Sequence, residues 1–189
     1  MSSTLIKPCS FLLLILCISI NAEESKESNF ARQTIDIGIV VTDIEKSLEF
    51  YKKAIGFSEA EGFKVGGKFP KLVGLTDGAP LTIHVLKLGK EEHATTLKLM
   101  QVGSKKPARL IKQPHIHTIA GLSYLTIFVK DVDVVMNRAK KLGYEPYAKS
   151  PQILPEGLPQ DVCLLMLKDP DGNFVEIVGP LTSELEAKK

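Results

Sequence analysis

The sequence predicts an α+β fold of two tandem βαβββ modules, each burying a helix on one sheet face and leaving the other face to build a cleft with its twin. Two observations carry this reading. The order strand, helix, strand, strand, strand is written twice between residues 34 and 180. Matched punctuation recurs at near-constant spacing: Val41-Thr42-Asp43 is answered 88 residues later by Val129-Lys130-Asp131, and TLKLMQV at 96–102 is answered 78 residues later by FVEIVGP at 174–180. An internal repeat decides architecture more firmly than any single motif.

The first module opens after Thr34 with IDIGIVV, an apolar run that reads as a strand. Asp43 follows as a helix N-cap. Ile44, Leu48, Tyr51 and Ile55 recur at helical spacing, and Gly56 supplies a left-handed stop. Strand-like runs come next at Phe57–Val65, at 81–88 (LTIHVLKL) and at 95–102 (TTLKLMQV), with Gly and Pro between them.

The second module restarts after Gly121. SYLTIFV is a strand, Asp131 a cap, and Val132, Val135, Ala139 and Leu142 an apolar helix face ended by Gly143. Strands are expected near Tyr144–Ala148, at 162–168 and at 173–178. The last two are joined by Asp169-Pro170-Asp171-Gly172, where Pro presets φ and Gly accepts a positive one. The connecting segment 103–120 carries Lys105, Lys106, Arg109 and Lys112. It reads either as a solvated linker or as a rim that steers anions toward the cleft. Residues 34–180 thus form one domain: module 34–102, linker 103–120 and module 121–180.

The flanks read differently. Residues 1–22 place Lys7 ahead of an apolar run from Phe11 to Ile20 and end on Ala22 before polar EESKES, the layout of a cleaved secretory signal. The run is short for a membrane span, so a secreted or periplasmic protein is expected, with an uncleaved membrane anchor as the alternative. Cleavage removes Lys7 and no acid, lowering the formal charge from +2 to +1, and removes Cys9 and Cys17. Cys163, left alone within VCLLML, reads as a buried inert thiol. Residues 23–33 are a flexible lead-in and 181–189 a solvated tail.

Composition narrows the partners. With 44% apolar and 24% charged residues the balance is that of a globular protein. A charge of +2, no Trp and 6% aromatics argue against a nucleic-acid surface. No phosphate-cradling glycine loop, HExxH, GxSxG or CxxC is present.

The doubled unit, its opening IDIGIVVTDIEKSLEFYKKAIGF and its closing LKDPDGNFVEIVGP together resemble the vicinal oxygen chelate superfamily, the glyoxalase, bleomycin-resistance and extradiol dioxygenase group. The resemblance covers about 34–180. It implies curved mixed sheets around a cleft. In metal-using members, side chains from the first and last strand of each module hold one divalent ion such as Zn, Ni, Fe or Mn, and the ion acts as a Lewis acid on two neighbouring substrate oxygens. Carried over by position, the ligand places fall at Asp36, Lys98, Tyr124 and Glu176. Only Glu176 matches the common pattern. Asp36 and Glu176 are the candidate metal ligands, Tyr124 is a poor one, and Lys98 is a cation.

None of the histidines His84, His93, His115 and His117 falls at a ligand place. His84 is an additional candidate, and His117 a displaced ligand. If strand alternation puts Lys98 on the cleft face, Asp36 and Glu176 are its natural partners, because a lone ammonium there costs several kcal/mol of desolvation. Three readings follow: a metal-free binder of a small molecule, a glyoxalase-type lyase, isomerase or dioxygenase with Glu176 as its acid–base catalyst, or a partner-binding module with an inactive cleft. The resemblance also allows a homodimer.

Overall fold

The computed structural model describes residues 29–103, 108–110 and 112–183. The signal-like segment 1–22, Lys105, Lys106 and most of the tail lie outside them. The fold is that of the unit Arg32–Lys189. No helix among the described residues is long and apolar enough to cross a membrane.

The first module runs β1 (Asp36–Val40), α1 (Ile44–Glu49), β2 (Ser58–Val65), α2 (Phe69–Leu72), β3 (Leu81–Lys87) and β4 (Thr96–Val102). The second runs β5 (Tyr124–Phe128), α3 (Val132–Lys141), β6 (Gln152–Ile153), β7 (Cys163–Lys168) and β8 (Phe174–Gly179). The sheets order as β1-β4-β3-β2 and β5-β8-β7-β6. In each, the first strand lies parallel to the last. Asp36 faces Thr96 and Gly38 faces Lys98, while Tyr124 faces Phe174 and Thr126 faces Glu176. The two registers coincide residue for residue, which fixes the repeat at the level of hydrogen-bond pairing.

The caps are local chemistry. The Asp43 carboxylate accepts from the Lys46 N–H at 3.2 Å, and Asp131 accepts from the Asp133 N–H at 2.9 Å, satisfying donors a helix start leaves open. Helix α1 continues directly into a π-helical stretch, Phe50–Ile55, closed by Gly56 at φ 109°. The wider turn lets the adjacent residues Phe50 and Tyr51 both point inward, and both are fully buried. Phe50 meets Tyr144 of the second module edge to face, with centroids 4.8 Å apart, a contact worth about 1 kcal/mol beyond burial.

Strand alternation sorts the sheet faces. Leu97, Leu99, Leu165, Leu167, Val175 and Ile177 are buried with Val132, Val135 and Ala139 in one cluster that spans both modules. The core therefore lies on the helix side of both sheets. Asp36, Gly38, Val40 and Lys98 occupy the opposite face of the first sheet, and Tyr124, Thr126, Phe128 and Glu176 that of the second.

One expected strand is absent. Residues 144–148 form no strand; the second strand of the second module is the short β6. Pro146 and Pro151 withhold ladder donors there. The segment is tied to β7 instead by the Tyr147 N–H to the Met166 carbonyl at 2.7 Å and by the Met166 N–H to the Ser150 hydroxyl at 3.1 Å.

Candidate functional site

The residues at the four family-matched positions fall into two groups. On the first sheet, the Lys98 ammonium lies 2.8 Å from Asp36 Oδ2. Arg32 approaches Oδ1 at 2.6 Å, a charge contact without hydrogen-bond alignment, since that oxygen has no aligned donor. The Lys98 hydrogen bond is the main reason that the Asp36 carboxyl is held down at about 2, with Thr96 and Arg32 adding to it against some burial. Gly38, opposite Lys98, keeps the space clear: a Cβ there would lie 2.9 Å from the Met100 methyl.

On the second sheet, Glu176 accepts a short hydrogen bond from the Thr126 hydroxyl. Tyr124 is 43% exposed. Among the described residues Lys98 pairs with Asp36 alone, and Glu176 joins neither of them.

The histidines lie elsewhere. His84 pairs in register with Leu99, on the helix-side face, and its Nδ1 is 3.3 Å from Glu59. Glu59 is bound chiefly by Lys52, which holds its carboxyl below the ordinary range, with His84 second. His115 and His117 are exposed and stack in parallel with ring centroids 5.5 Å apart. Among the described residues no three His, Cys, Asp or Glu side chains are grouped to hold a metal.

The donor set at the family-matched positions does not suit a divalent ion. It offers two carboxylates on separate sheets, a phenol, and an ammonium that can ligate only after losing its proton. One of the two carboxylates, Asp36, already carries the ammonium and a guanidinium.

A pocket of about 370 Å³ opens where the edge strands β1 and β5 meet the linker. Val40 and Thr42 line it from the first module, Tyr124 and Phe174 from the second, and Arg109 and Leu110 from the linker. Its wall is set by the turn after β7. Asp169, 4% exposed, accepts from the backbone N–H of Asp171 and Asn173, from the Asn173 side chain and from the Tyr51 hydroxyl. Burial pushes the Asp169 carboxyl up, and these donors oppose the shift. Asp171 in turn accepts from the Thr42 N–H at 3.1 Å and from its hydroxyl. The turn thereby clasps the loop that follows β1.

The linker is pinned over the pocket from below. Lys168 donates to the Gln113 carbonyl at 2.6 Å, and Tyr147 to the Pro114 carbonyl at 2.8 Å. The ammonium also sits 4.4 Å from the ring centres of Tyr147 and Phe174. Sequence reasoning missed this arrangement. The basic run of the linker was its one visible signal, and nothing local marks Leu122 or Phe174 as pocket wall.

Residues 34–177 match the family model of the glyoxalase/bleomycin resistance protein/dioxygenase superfamily. No curated protein sequence matches the chain. Among solved structures, a glyoxalase family protein from Bacillus cereus aligns with TM-score 0.63 at 17% identity, over 82% of this chain and 98% of that one. The trypanothione-dependent glyoxalase I of Leishmania major aligns with TM-score 0.53 at 20% identity, over 84% and 94%. A glyoxalase/bleomycin resistance protein/dioxygenase domain from Frankia aligns with TM-score 0.53 at 18% identity, over 86% and 100%. At these identities the likeness is one of fold.

Proposed function

This chain belongs to the glyoxalase/bleomycin resistance protein/dioxygenase superfamily, and from that premise we propose that it is an exported small-molecule-binding member whose metal centre has degenerated. The observation that carries the reading is the Lys98–Asp36 ion pair at 2.8 Å. An ammonium stands at one of the four family-matched ligand positions, bringing a cation's charge, and one of the two candidate carboxylates is already committed to it. Fold alone does not assign chemistry, so the donor set decides. Binding falls instead to the pocket between the modules, which combines an apolar wall with a few polar groups, the usual composition of a ligand site.

The signal-like layout of residues 1–22 supports export. A homodimer belongs to the same reading. Asp36 with Lys98 and Tyr124 with Glu176 lie on separate sheets, which leaves room for a second copy to complete a cleft.

Metal analysis of the full-length protein, purified without chelators, tests the proposal. Substoichiometric metal is expected, together with a rise in apparent melting temperature for at least one member of a panel of small oxygenated ligands. Stoichiometric Zn, Ni, Fe or Mn would overturn it in favour of a metal-dependent lyase, isomerase or dioxygenase.

A further inference from the structure

Resting on the reading that the pocket between the modules binds a small molecule, we infer the class of that molecule: an organic monocarboxylate with an apolar body, its carboxylate held by Arg109 and Tyr124. The argument is an inventory of donors and acceptors. Two charged side chains line the pocket, Arg109 and Asp171. Asp171 is satisfied, since both its oxygens accept from the Thr42 N–H and one also accepts from the Thr42 hydroxyl. Arg109 makes no ion pair or hydrogen bond with the described residues. The Tyr124 hydroxyl likewise has no partner among the described residues.

The unanswered charge at the pocket is therefore a donor's and the Tyr124 phenol is a second donor, while the Gln113 and Asn173 amides that also line it are neutral. A guanidinium presents five N–H groups in a planar fork, and a phenol adds one O–H. What complements them is an acceptor with two oxygens in one plane, the geometry of a carboxylate. The rest of the lining includes Val40, Leu110, Ile119, Leu122 and Phe174, a wall suited to an alkyl or aryl body. A volume of about 370 Å³ falls at the small end of the range for ligand pockets.

The linker position makes the donor available. Lys168 and Tyr147 fix the backbone at Gln113 and Pro114, which carries Arg109 to the pocket rim. Arg109 is exposed and supports no core contact, so replacing it leaves the fold intact.

The test uses four probes on the full-length protein: octanoate and benzoate, with 1-octanol and benzyl alcohol as uncharged counterparts, followed by calorimetry and thermal melting. Both carboxylates are expected to bind at least roughly tenfold more tightly than the matching alcohols, one charge-assisted hydrogen bond being sufficient for that ratio. Arg109→Ala should weaken the carboxylates by roughly 10- to 100-fold and leave the alcohols and the ligand-free melting temperature unchanged. Arg109→Lys should restore part of the loss, and Tyr124→Phe should cause a smaller one. Alcohols that bind as well as carboxylates, or carboxylate binding indifferent to Arg109→Ala, would overturn the assignment. Silence from all four probes while the oxygenated panel responds overturns this inference alone. Silence from both sets overturns the small-molecule reading beneath it.

Discussion

Tyr51 donates its phenolic hydrogen to Asp169 at 2.8 Å across 118 positions of sequence, joining the helical segment of the first module to the last turn of the second. Both residues are buried. The hydroxyl is one of the donors that let a carboxylate stay in a dry place, and it also orients the turn that walls the pocket.

Tyr51→Phe removes that donor and keeps the ring. Asp169 loses one acceptor partner inside the core, a change that costs about 1–3 kcal/mol. Chemical denaturation should show an earlier midpoint with an unchanged slope. Equal midpoints for the two proteins would show that the hydroxyl is not needed there.

Acid should act through Asp36. The Lys98 ammonium beside it holds its carboxyl down at about 2 in the folded protein, below the ordinary 3.8. A depressed folded pKa contributes stability that is present above the unfolded value and lost as pH falls through the folded one. The window therefore runs from about pH 4 down to about pH 2. The partners are partly exposed, at 33% for Lys98 and 37% for Arg32, so solvent screening reduces the contribution to roughly 1 kcal/mol. Asp36→Asn should flatten the fall in denaturation midpoint across that window.

Asp169 bears the opposite sign. Burial raises its folded pKa, so its contribution is greatest below the unfolded value and declines as pH rises through the raised one. Asp169→Asn should remove that decline but lose acceptor strength toward the Asp171 and Asn173 N–H groups and Tyr51. A net loss of about 1–3 kcal/mol at pH 7 is expected, measured as a shift in denaturant midpoint.

Replacing Lys98 tests the ammonium directly. Lys98→His puts a neutral imidazole beside Asp36, and a nitrogen and a carboxylate together suit Zn²⁺. Calorimetry with Zn²⁺ should show affinity at least roughly tenfold above that of the native protein. Unchanged zinc binding would mean that the lysine is not what keeps the ion away.

Lys168→Met cuts the hydrogen bond to the Gln113 carbonyl and removes the cation between two rings. The expected cost is about 1–2 kcal/mol. Its sharper readout is local: trypsin should cleave the linker 103–120 faster than in the native protein, at conditions where both remain folded.

Much of the fold is legible in the sequence because its signals are local. Asp43 and Asp131 cap helices with their own side chains, and Gly56 ends the helical segment by its positive φ. The apolar alternation around Leu97, Leu99, Leu165 and Leu167 reports a buried sheet face directly. The π-helical stretch leaves no such mark, since apolar residues at 50, 51, 54 and 55 fit an ordinary helix nearly as well. Tyr144–Ala148 has strand-like composition, but Pro146 and the Ser150 hydroxyl bond to β7 give it another way to satisfy its neighbours. The candidate site was legible only by position. Alternation and register place Lys98 beside Asp36, whereas the separation of Glu176 from both depends on how two sheets are set in space, which no local pattern encodes. Asp169 reads as a turn residue, and its burial beneath Tyr51 is likewise a tertiary fact.

The coincident registers of the two sheets have an evolutionary corollary. Lys98 and Glu176 occupy the same seat in their respective repeats, two residues into β4 and β8, and bear opposite charge. A protein built from two copies of either half would set like charges at both seats. Divergence after duplication has thus broken electrostatic equivalence while sparing the hydrogen-bond ladder, so the halves have become complementary rather than interchangeable.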